Sequence, residues 1–217
     1  MKALLLDVGN TRLKWGVLED DEIHRTGHIA MRKVREEGLG VLTSRLPRSV
    51  DAVHVSNVAG ASFGTRLSGV IGMHCECDVH FAKPERAACG VQSGYRHPRR
   101  LGVDRWVAMI GAWAETESAC VVVDAGTAVT IDAIDDEGQH IGGQIFPGVR
   151  LMFEALAAST SDIPAVSRQL SATSGLDMFG DTTSRAVQNG AWNAVAGAVD
   201  RAITTLRSNA YDPAVVL

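Results

Sequence analysis

Two short segments of the sequence carry an aspartate and a glycine at the same spacing, and each is followed by a threonine. They are Asp7-Val8-Gly9-Asn10-Thr11 and Asp124-Ala125-Gly126-Thr127-Ala128. A glycine lets the backbone approach an anion closely, and successive N–H groups of a turn can bind phosphate oxygens. A carboxylate repels phosphate, so we expect each aspartate to hold a cation that neutralises phosphate charge. The alternative is that Asp-x-Gly only closes a tight β-turn, which is its commonest use.

The sequence around these two segments is duplicated. The two aspartates lie 117 residues apart (124 − 7), and so do the two glycines (126 − 9). Each aspartate ends a short apolar strand, and Val129 to Ile134 overlays Arg12 to Val17 without a gap. The order strand, turn, strand, acidic turn therefore occurs twice, which favours two copies of one unit over two unrelated turns. It also favours paired phosphate sites over structural turns.

A third group of chemically active side chains is Tyr95-x-x-Pro98-x-x-Leu101-Gly102-Val103-Asp104-Arg105. Asp104 stands where an apolar helix is predicted to begin. It is either an N-cap or a carboxylate that orients an attacking hydroxyl and accepts its proton. The positive end of the helix favours a negative charge there. Arg105 is a candidate for pairing with an anionic substrate group.

The hydrophobic periodicity predicts an α/β chain that positions these segments. We predict strands at Ala3–Leu6, Leu13–Leu18, Ile23–Ile29, Ala52–Asn57, Cys75–Phe81, Cys120–Asp124, Val129–Ile134 and Ala214–Leu217. We predict helices at Val34–Leu46, Phe63–Ile71, Val103–Glu115, Val149–Ala158 and Thr183–Arg207. A polar stretch after residue 115 divides the chain into an N-terminal domain, residues 1–115, and a C-terminal domain, residues 116–217.

The segment His74-Cys75-Glu76-Cys77-Asp78-Val79-His80 has the residue types of a metal site. The strict alternation of its residue types favours a β-strand over a metal site. In a strand the polar side chains would share one face and the cysteines would lie on the other, where small buried residues are common.

Composition excludes several protein classes. The net charge of −4 and the sequence pI near 6.0 show no bias toward nucleic acids or acidic membranes. No apolar run approaches the roughly 20 residues that cross a bilayer. The sequence contains neither a P-loop motif nor a strand-linked dinucleotide motif. The basic cluster Arg96, Arg99 and Arg100 favours a solvated or substrate-facing loop over a nucleic-acid site. We expect a cytosolic protein with no nucleic-acid or membrane partner.

Taken together, the motifs resemble those of the type III pantothenate kinases, also called the Bvg accessory factor family. The matching stretches follow the family order from residue 6 to residue 183. They are Leu6 to Lys14, Tyr95 to Arg105, Val123 to Ala128, Gly142-Gly143-x-Ile145-x-Pro147-Gly148, and Gly180-x-x-Thr183 before a helix.

The resemblance implies a fold of duplicated ribonuclease H-like (actin-like ATPase) domains, with mixed sheets flanked by helices and an ATP cleft between them. It implies ATP-dependent phosphorylation of the primary hydroxyl of pantothenate, which begins coenzyme A synthesis, by a homodimer. The ATP-binding residues it implies are Asp7, Val8, Gly9, Asn10, Thr11, Arg12, Leu13, Lys14 and Thr127. The pantothenate-binding residues it implies are Tyr95, Gly102, Val103, Asp104, Arg105 and Thr183, with Asp104 as catalytic base.

Two kinds of cation are expected, a monovalent ion from the resemblance and Mg²⁺ from the chemistry of the residues. Asp124 matches the ligand of a monovalent ion, potassium or ammonium, and Asp7 is expected to hold Mg²⁺ through water. Family chains usually continue beyond the strand that matches Ala214 to Leu217 into a Gly-Gly turn and a helix. We therefore expect a C-terminal domain without its end and a weakened ATP site. A non-catalytic regulatory factor, an inactive shortened paralogue and another actin-like kinase acting on sugars or acetate stay open as alternatives.

Overall fold

The computed structural model describes residues 1–163 and 178–217. The chain forms two compact units. The first contains Met1–Glu85 and His97–Val107, and the second contains Arg86–Arg96 and Ala108–Leu217. The division of the chain at residue 115 stays a prediction.

A five-stranded mixed sheet forms the centre of the first unit. Its strands are β1 (Lys2–Val8), β2 (Arg12–Glu19), β3 (Glu22–Ala30), β4 (Ala52–Asn57) and β5 (Val79–Phe81), in the spatial order β3-β2-β1-β4-β5. The first three strands run antiparallel to one another, whereas β4 is parallel to β1 and β5 is parallel to β4. The helices of this unit are α1 (Met31–Glu37), α2 (Gly40–Thr43) and α3 (Ala61–Cys75).

Alternation along β1 and helical spacing along α3 create the core of this unit. Leu4, Leu6 and Val8 point to one face of the sheet and are buried, and they belong to one apolar cluster with Leu67 and Ile71 of α3. Residues two apart in a strand, and residues four apart in a helix, lie on the same face. The buried residues of β1 and those of α3 therefore form two apolar surfaces that pack against each other. The end of β1, where Asp7 lies, is thereby fixed on a rigid element.

A four-stranded mixed sheet forms the centre of the second unit, among the residues that the structure describes. This unit contains a short hairpin of β6 (Ala87–Ala88) and β7 (Val91–Gln92). The division between the two units falls within α4 (Val103–Thr116), after Val107. The elements that follow α4 are β8 (Cys120–Ala125), β9 (Ala128–Ile134), β10 (His140–Pro147), α5 (Val149–Ser159), α6 (Thr183–Ser208) and β11 (Ala214–Val216). The strand order is β10-β9-β8-β11, with β11 parallel to β8. The predicted α/β class with mixed sheets and flanking helices is confirmed.

The two sheets are compatible with the predicted duplication. In each, three antiparallel strands precede a helix, and a later strand joins parallel to the first. The ungapped overlay is wrong beyond the turn. Asp7 pairs across the hairpin with Lys14, seven residues on, whereas Asp124 pairs with Thr130, six residues on. The second turn is one residue shorter, so Thr130 and not Ile131 occupies the position of Lys14.

The predicted strand from Cys75 to Phe81 is wrong over its first half. Cys75 ends α3, Glu76 adopts a left-handed conformation with φ 54°, and the strand begins only at Val79. Cys75 continues the buried stripe of α3, which the short alternating pattern concealed. Burial, and then the neighbouring Cys77, raise the pKa of Cys75 to about 11, so its thiol stays protonated at neutral pH. A protonated thiol is a poor metal ligand.

The predicted helix from Val34 to Leu46 is also wrong, because it is interrupted. Gly38 ends α1 with φ 84° and ψ 170°, and the short α2 begins two residues later at Gly40. A side chain is strained at this φ, so glycine is what allows the break.

We predict that Gly38→Ala lowers the free energy of unfolding by about 1–2 kcal/mol, because alanine is strained at the positive φ. The matched control is Gly40→Ala. Gly40 is helical and has no heavy atom within 4 Å of the position that an added Cβ would take, so alanine should be neutral or stabilise by up to about 1 kcal/mol. Urea unfolding of both variants measures the difference. Equal destabilisation by the two substitutions would contradict the assignment of the break to Gly38.

Candidate functional site

The first Asp-x-Gly turn is closed by its own backbone. The N–H of Gly9 donates to the carbonyl of Arg12 at 3.0 Å, and the N–H of Met31 donates to the carbonyl of Thr11 at 2.9 Å. The turn is therefore tied both to itself and to the residue that begins α1. Asn10, Thr11 and Arg12 are exposed, so an anion in solvent can reach this side of the turn.

Opposite charges meet at the mouth of this turn. Asp7 and Lys14 face each other across the hairpin, with Nζ of Lys14 3.7 Å from Oδ2 of Asp7, and both side chains are about half exposed. An exposed pair of this length contributes little stability. The pair places a cation and a carboxylate side by side at the end of a buried strand.

The second Asp-x-Gly turn repeats the same two hydrogen bonds. The N–H of Gly126 donates to the carbonyl of Ala128 at 2.9 Å, and the N–H of Gly148 donates to the carbonyl of Thr127 at 3.0 Å. In both units the second bond comes from the start of the following helix, α1 in the first and α5 in the second. The carboxylate of Asp124 is exposed and lies over Gly126, 3.9 Å from the position of an added Cβ.

Position 148 requires a glycine, because the backbone of the second turn passes very close to it. A Cβ on Gly148 would lie 2.3 Å from the carbonyl oxygen of Gly126 and 2.8 Å from that of Thr127. Backbone atoms cannot rotate away as a side chain can, so only glycine fits. The conformation of the second turn therefore depends on a residue about twenty positions further along the chain.

Both turns combine an aspartate carboxylate with backbone carbonyl oxygens, which are the hard oxygen donors that group I and group II cations take. An added Cβ on Gly9 would lie 3.0 Å from the carbonyl oxygen of Arg12, and one on Gly126 would lie 3.7 Å from that of Ala128. Among the described residues, no three His, Cys, Asp or Glu side chains cluster as an all-protein metal site.

Asp104 lies inside the first turn of α4, because the helix begins at Val103. It is therefore not the N-cap, which was the structural alternative. Its Oδ1 accepts a hydrogen bond from the N–H of Arg105 at 2.8 Å. A Cβ on Gly102 would lie 2.6 Å from that same oxygen, so the carboxylate folds back over a glycine.

The neighbouring Arg105 is one of the few buried charged residues of the described chain, with 5% exposure. Burial restricts the side chain to a narrow range of conformations. A guanidinium held in this way is better suited to orient a bound anion than one that moves freely in solvent. Asp7 and the segment Gly102 to Arg105 both belong to the first unit.

Tyr95 belongs to the second unit and packs on a buried histidine. Its ring stacks on that of His140, with centroids 5.9 Å apart and an interplanar angle of 16°. Tyr95 also lines a cavity of about 310 Å³, at the small end of the range of ligand pockets. The cavity walls are polar and are formed by Arg86, Gln92, Ser93, Gly94, Tyr95, Arg96 and Gln139.

Thr183 is the first residue of α6 and is exposed. The preceding Thr182 is the N-cap, and its hydroxyl accepts from the N–H of Arg185 at 3.3 Å. Because Thr182 makes the capping bond, the hydroxyl of Thr183 has no part in starting the helix.

Sequence reasoning did not identify the pair of His140 and Asp132 beneath Tyr95. Nε2 of His140 lies 3.0 Å from Oδ1 of Asp132, and both side chains are buried. The available signal was Asp132 itself, a carboxylate inside an otherwise apolar strand. A lone polar residue in a buried strand needs a partner, but nothing in the spacing pointed to His140.

Comparison with solved structures shows which proteins share the fold of this chain. A candidate 2-dehydro-3-deoxygalactonokinase of Sinorhizobium meliloti aligns with 99% of this chain and 91% of its own, with a TM-score of 0.60 and 14% identity. A Baf family protein of Campylobacter jejuni, described as a candidate transcriptional activator, aligns with 91% of this chain and 78% of its own, with a TM-score of 0.58 and 22% identity. These likenesses show that the chain shares the fold of these two proteins.

Sequence comparison then gives the family. Residues 3–205 match the sequence profile of the type III pantothenate kinases. The chain is 37% identical over 201 residues to the type III pantothenate kinase of Dechloromonas aromatica, covering 93% of this chain and 80% of that protein. It is 38% identical over 213 residues to that of Methylobacillus flagellatus, covering 94% and 77%. The chain belongs to the type III pantothenate kinase family.

The described residues include no helix that is long and apolar enough to cross a membrane.

We predict that Gly148→Ala lowers the free energy of unfolding by roughly 2 kcal/mol, because the added methyl overpacks against two backbone carbonyls. Gly190→Ala, within α6 of the same unit, is the matched control. No heavy atom lies within 4 Å of its added Cβ, so alanine should be neutral or stabilising. Urea unfolding compares the two. A Gly148 variant as stable as the wild type would show that the turn does not need this close contact.

Proposed function

We propose that this member of the type III pantothenate kinase family transfers the γ-phosphoryl group of ATP to the primary hydroxyl of pantothenate. The product is phosphopantothenate, and the reaction is the first step of coenzyme A biosynthesis. The observation that carries the proposal is the family match over residues 3–205, which includes every residue assigned a role below.

At the nucleotide end, the turn from Asp7 to Lys14 is proposed to hold the ATP phosphates. Backbone N–H groups of the turn and the exposed Thr11 and Lys14 side chains donate to phosphate oxygens. Thr127 of the second turn is proposed to donate to the same nucleotide. The backbone hydrogen bonds within each turn support this role, because they preorganise the donors before the nucleotide binds.

At the acceptor end, Asp104 is proposed as the catalytic base. The oxygen of the primary hydroxyl attacks the γ-phosphorus, the bond from that phosphorus to the β-phosphate oxygen breaks, and ADP leaves. The hydroxyl proton passes to Asp104 late in this displacement, since phosphoryl transfer has a loose transition state. The contact with the N–H of Arg105 holds one carboxylate oxygen and leaves the other for the substrate.

The proposed pantothenate contacts are Tyr95, Gly102, Val103, Arg105 and Thr183. The burial of Arg105 supports a role in fixing an anionic or polar group of the acceptor. The Arg96, Arg99 and Arg100 cluster is interpreted as a substrate-facing or solvated loop. Arg96 lines the cavity beside Tyr95, which supports the substrate-facing interpretation for that residue.

Two cations complete the proposal. Asp7 is proposed to hold Mg²⁺ through water, and Asp124 a potassium or ammonium ion. When bound, these ions supply positive charge that offsets the triphosphate, so that three carboxylates can surround it without repulsion. A homodimer, expected from the resemblance, and a cytoplasmic location, expected from the composition, also belong to this proposal.

We predict that Asp104→Asn lowers kcat for pantothenate by about 10²- to 10⁴-fold, because an amide cannot accept the hydroxyl proton. A coupled assay with ATP, Mg²⁺ and potassium measures it, with sugars and acetate as rival acceptors. Asp200→Asn, an exposed carboxylate on α6, is the control and should keep wild-type turnover. Full activity in the Asp104 variant would contradict the mechanism. A wild type inactive on pantothenate would contradict the proposed function and favour a regulatory factor.

We predict that potassium or ammonium stimulates turnover and that sodium does not replace them. Asp124→Asn should abolish this dependence and raise KM for ATP, because the carboxylate that holds the ion is gone. Initial rates at constant ionic strength, with each chloride salt in turn, test both statements. Full stimulation by sodium alone would contradict the role of Asp124.

A further inference from the structure

A buried histidine–aspartate pair lies directly beneath the ring of Tyr95. The side chains of His140 and Asp132 are 0% and 2% exposed, and they are joined by the contact of 3.0 Å between Nε2 and Oδ1. A carboxylate only accepts hydrogen bonds, so the N–H at Nε2 donates to it. The Tyr95 ring stacks on the imidazole of this pair. Aspartate, imidazole and phenol thus form one column from the interior of β9 to the cavity.

Folding stability does not explain the pair. Nδ1 of His140 is buried and has no hydrogen-bond partner among the described residues. A buried ionisable pair is often no more stabilising than apolar side chains of the same volume, and an unsatisfied nitrogen lowers its contribution further. A geometric role accounts for the pair better, since the hydrogen bond fixes the plane of the imidazole.

The backbone around Tyr95 is held against the same strand. A Cβ on Gly94 would lie 2.1 Å from the carbonyl oxygen of His140. The N–H of Gln92 donates to the carbonyl of Gly138 at 2.9 Å, and the side-chain amide of Gln139 donates to the carbonyl of Gln92 at 3.3 Å. The backbone on both sides of this contact is thus tied together, and the Tyr95 ring lies against the imidazole where its loop borders the cavity.

We propose that His140 and Asp132 form a positioning pair, which holds Tyr95 in the wall of the acceptor pocket and so sets its affinity for pantothenate. The proposal rests on the proposed function, because it takes pantothenate as the ligand of this cavity. Arg86 and Arg96 in the same wall suit an acceptor that carries a carboxylate. The pair does not touch the reacting atoms, so its loss should affect binding of the acceptor and leave the chemical step intact.

Three variants distinguish the effect of the hydrogen bond between His140 and Asp132 from the effect of the ring on which Tyr95 stacks. Asp132→Asn keeps an oxygen that accepts from His140. Asp132→Leu removes the acceptor at similar volume. The double variant Asp132→Leu with His140→Phe removes both polar groups and keeps a ring on which Tyr95 can stack. Thr116→Val is the control, since it removes another hydrogen bond of the same unit, from the Thr116 hydroxyl to the carbonyl of Ala112.

We expect Asp132→Leu and the double variant to raise KM for pantothenate by about tenfold or more, as misplacement of a binding group does. Their kcat and their KM for ATP should stay within about twofold. Asp132→Asn should stay within about threefold of the wild-type KM, and Thr116→Val should match the wild type. Urea unfolding establishes that each variant is folded. A pantothenate KM within twofold in folded Asp132→Leu, or an equal rise in KM for ATP, would overturn the proposal.

If the leucine variants do not fold, Gly94→Ala tests the same claim. It pushes the loop off the His140 carbonyl and leaves the pair intact, so the same selective rise in KM for pantothenate is expected. An unchanged KM in folded Gly94→Ala would overturn the proposal in that case.

A measurement without substrate separates this proposal from the proposed function. Trypsin cleavage after Arg96 reports the mobility of the Tyr95 loop. We expect cleavage to be about five times faster or more in Asp132→Leu than in the wild type and in Thr116→Val. If the wild type does not phosphorylate pantothenate, the proposed function is wrong. The rate of trypsin cleavage then tests by itself whether His140 and Asp132 position Tyr95. Equal cleavage rates would then overturn the positioning role.

Discussion

The hydrogen bond that closes each Asp-x-Gly turn is the constraint on which the rest of the site depends. In both units a glycine N–H donates to a carbonyl two or three residues ahead, at 3.0 Å in the first turn and 2.9 Å in the second. This bond fixes the aspartate at the end of a buried strand and turns the following polar groups outward. The proposed binding of phosphate by these turns is favoured by such preorganisation, because a flexible turn would lose conformational entropy on binding.

Each turn is itself held by the helix that follows its sheet. Met31 and Gly148 donate to the carbonyls of Thr11 and Thr127 in equivalent ways. The mixed sheets, in which a later strand joins parallel to the first, bring distant segments of the chain to the same edge. The residues proposed to bind the acceptor are held in a different way. Asp104 lies in the first turn of a helix, beside a position where Gly102 has no side chain, and the ring of Tyr95 stacks on that of His140.

Much of this was predictable because the relevant signals are local. Apolar strands ending on aspartate identified β1 and β8, and the family that the motifs indicated is the one whose profile matches residues 3–205. The failures came where local patterns are ambiguous. Alternation at Cys75 to His80 resembled a strand although the buried stripe of α3 extended into it, and a single glycine at Gly38 broke a helix whose periodicity continued. His140 and Asp132 stayed hidden because their partnership exists only in three dimensions.

The phosphorus product of the reaction shows most directly whether this chain is a kinase for the primary hydroxyl of pantothenate. Proton-coupled ³¹P NMR can follow a mixture of the enzyme, ATP, Mg²⁺, potassium and pantothenate. We expect the γ-phosphate resonance to be replaced, one for one with ADP, by a phosphate monoester split into a triplet. A triplet arises because the ester of a primary hydroxyl has two protons on the adjacent carbon. Release of inorganic phosphate alone, or a doublet from a secondary ester, would contradict this assignment.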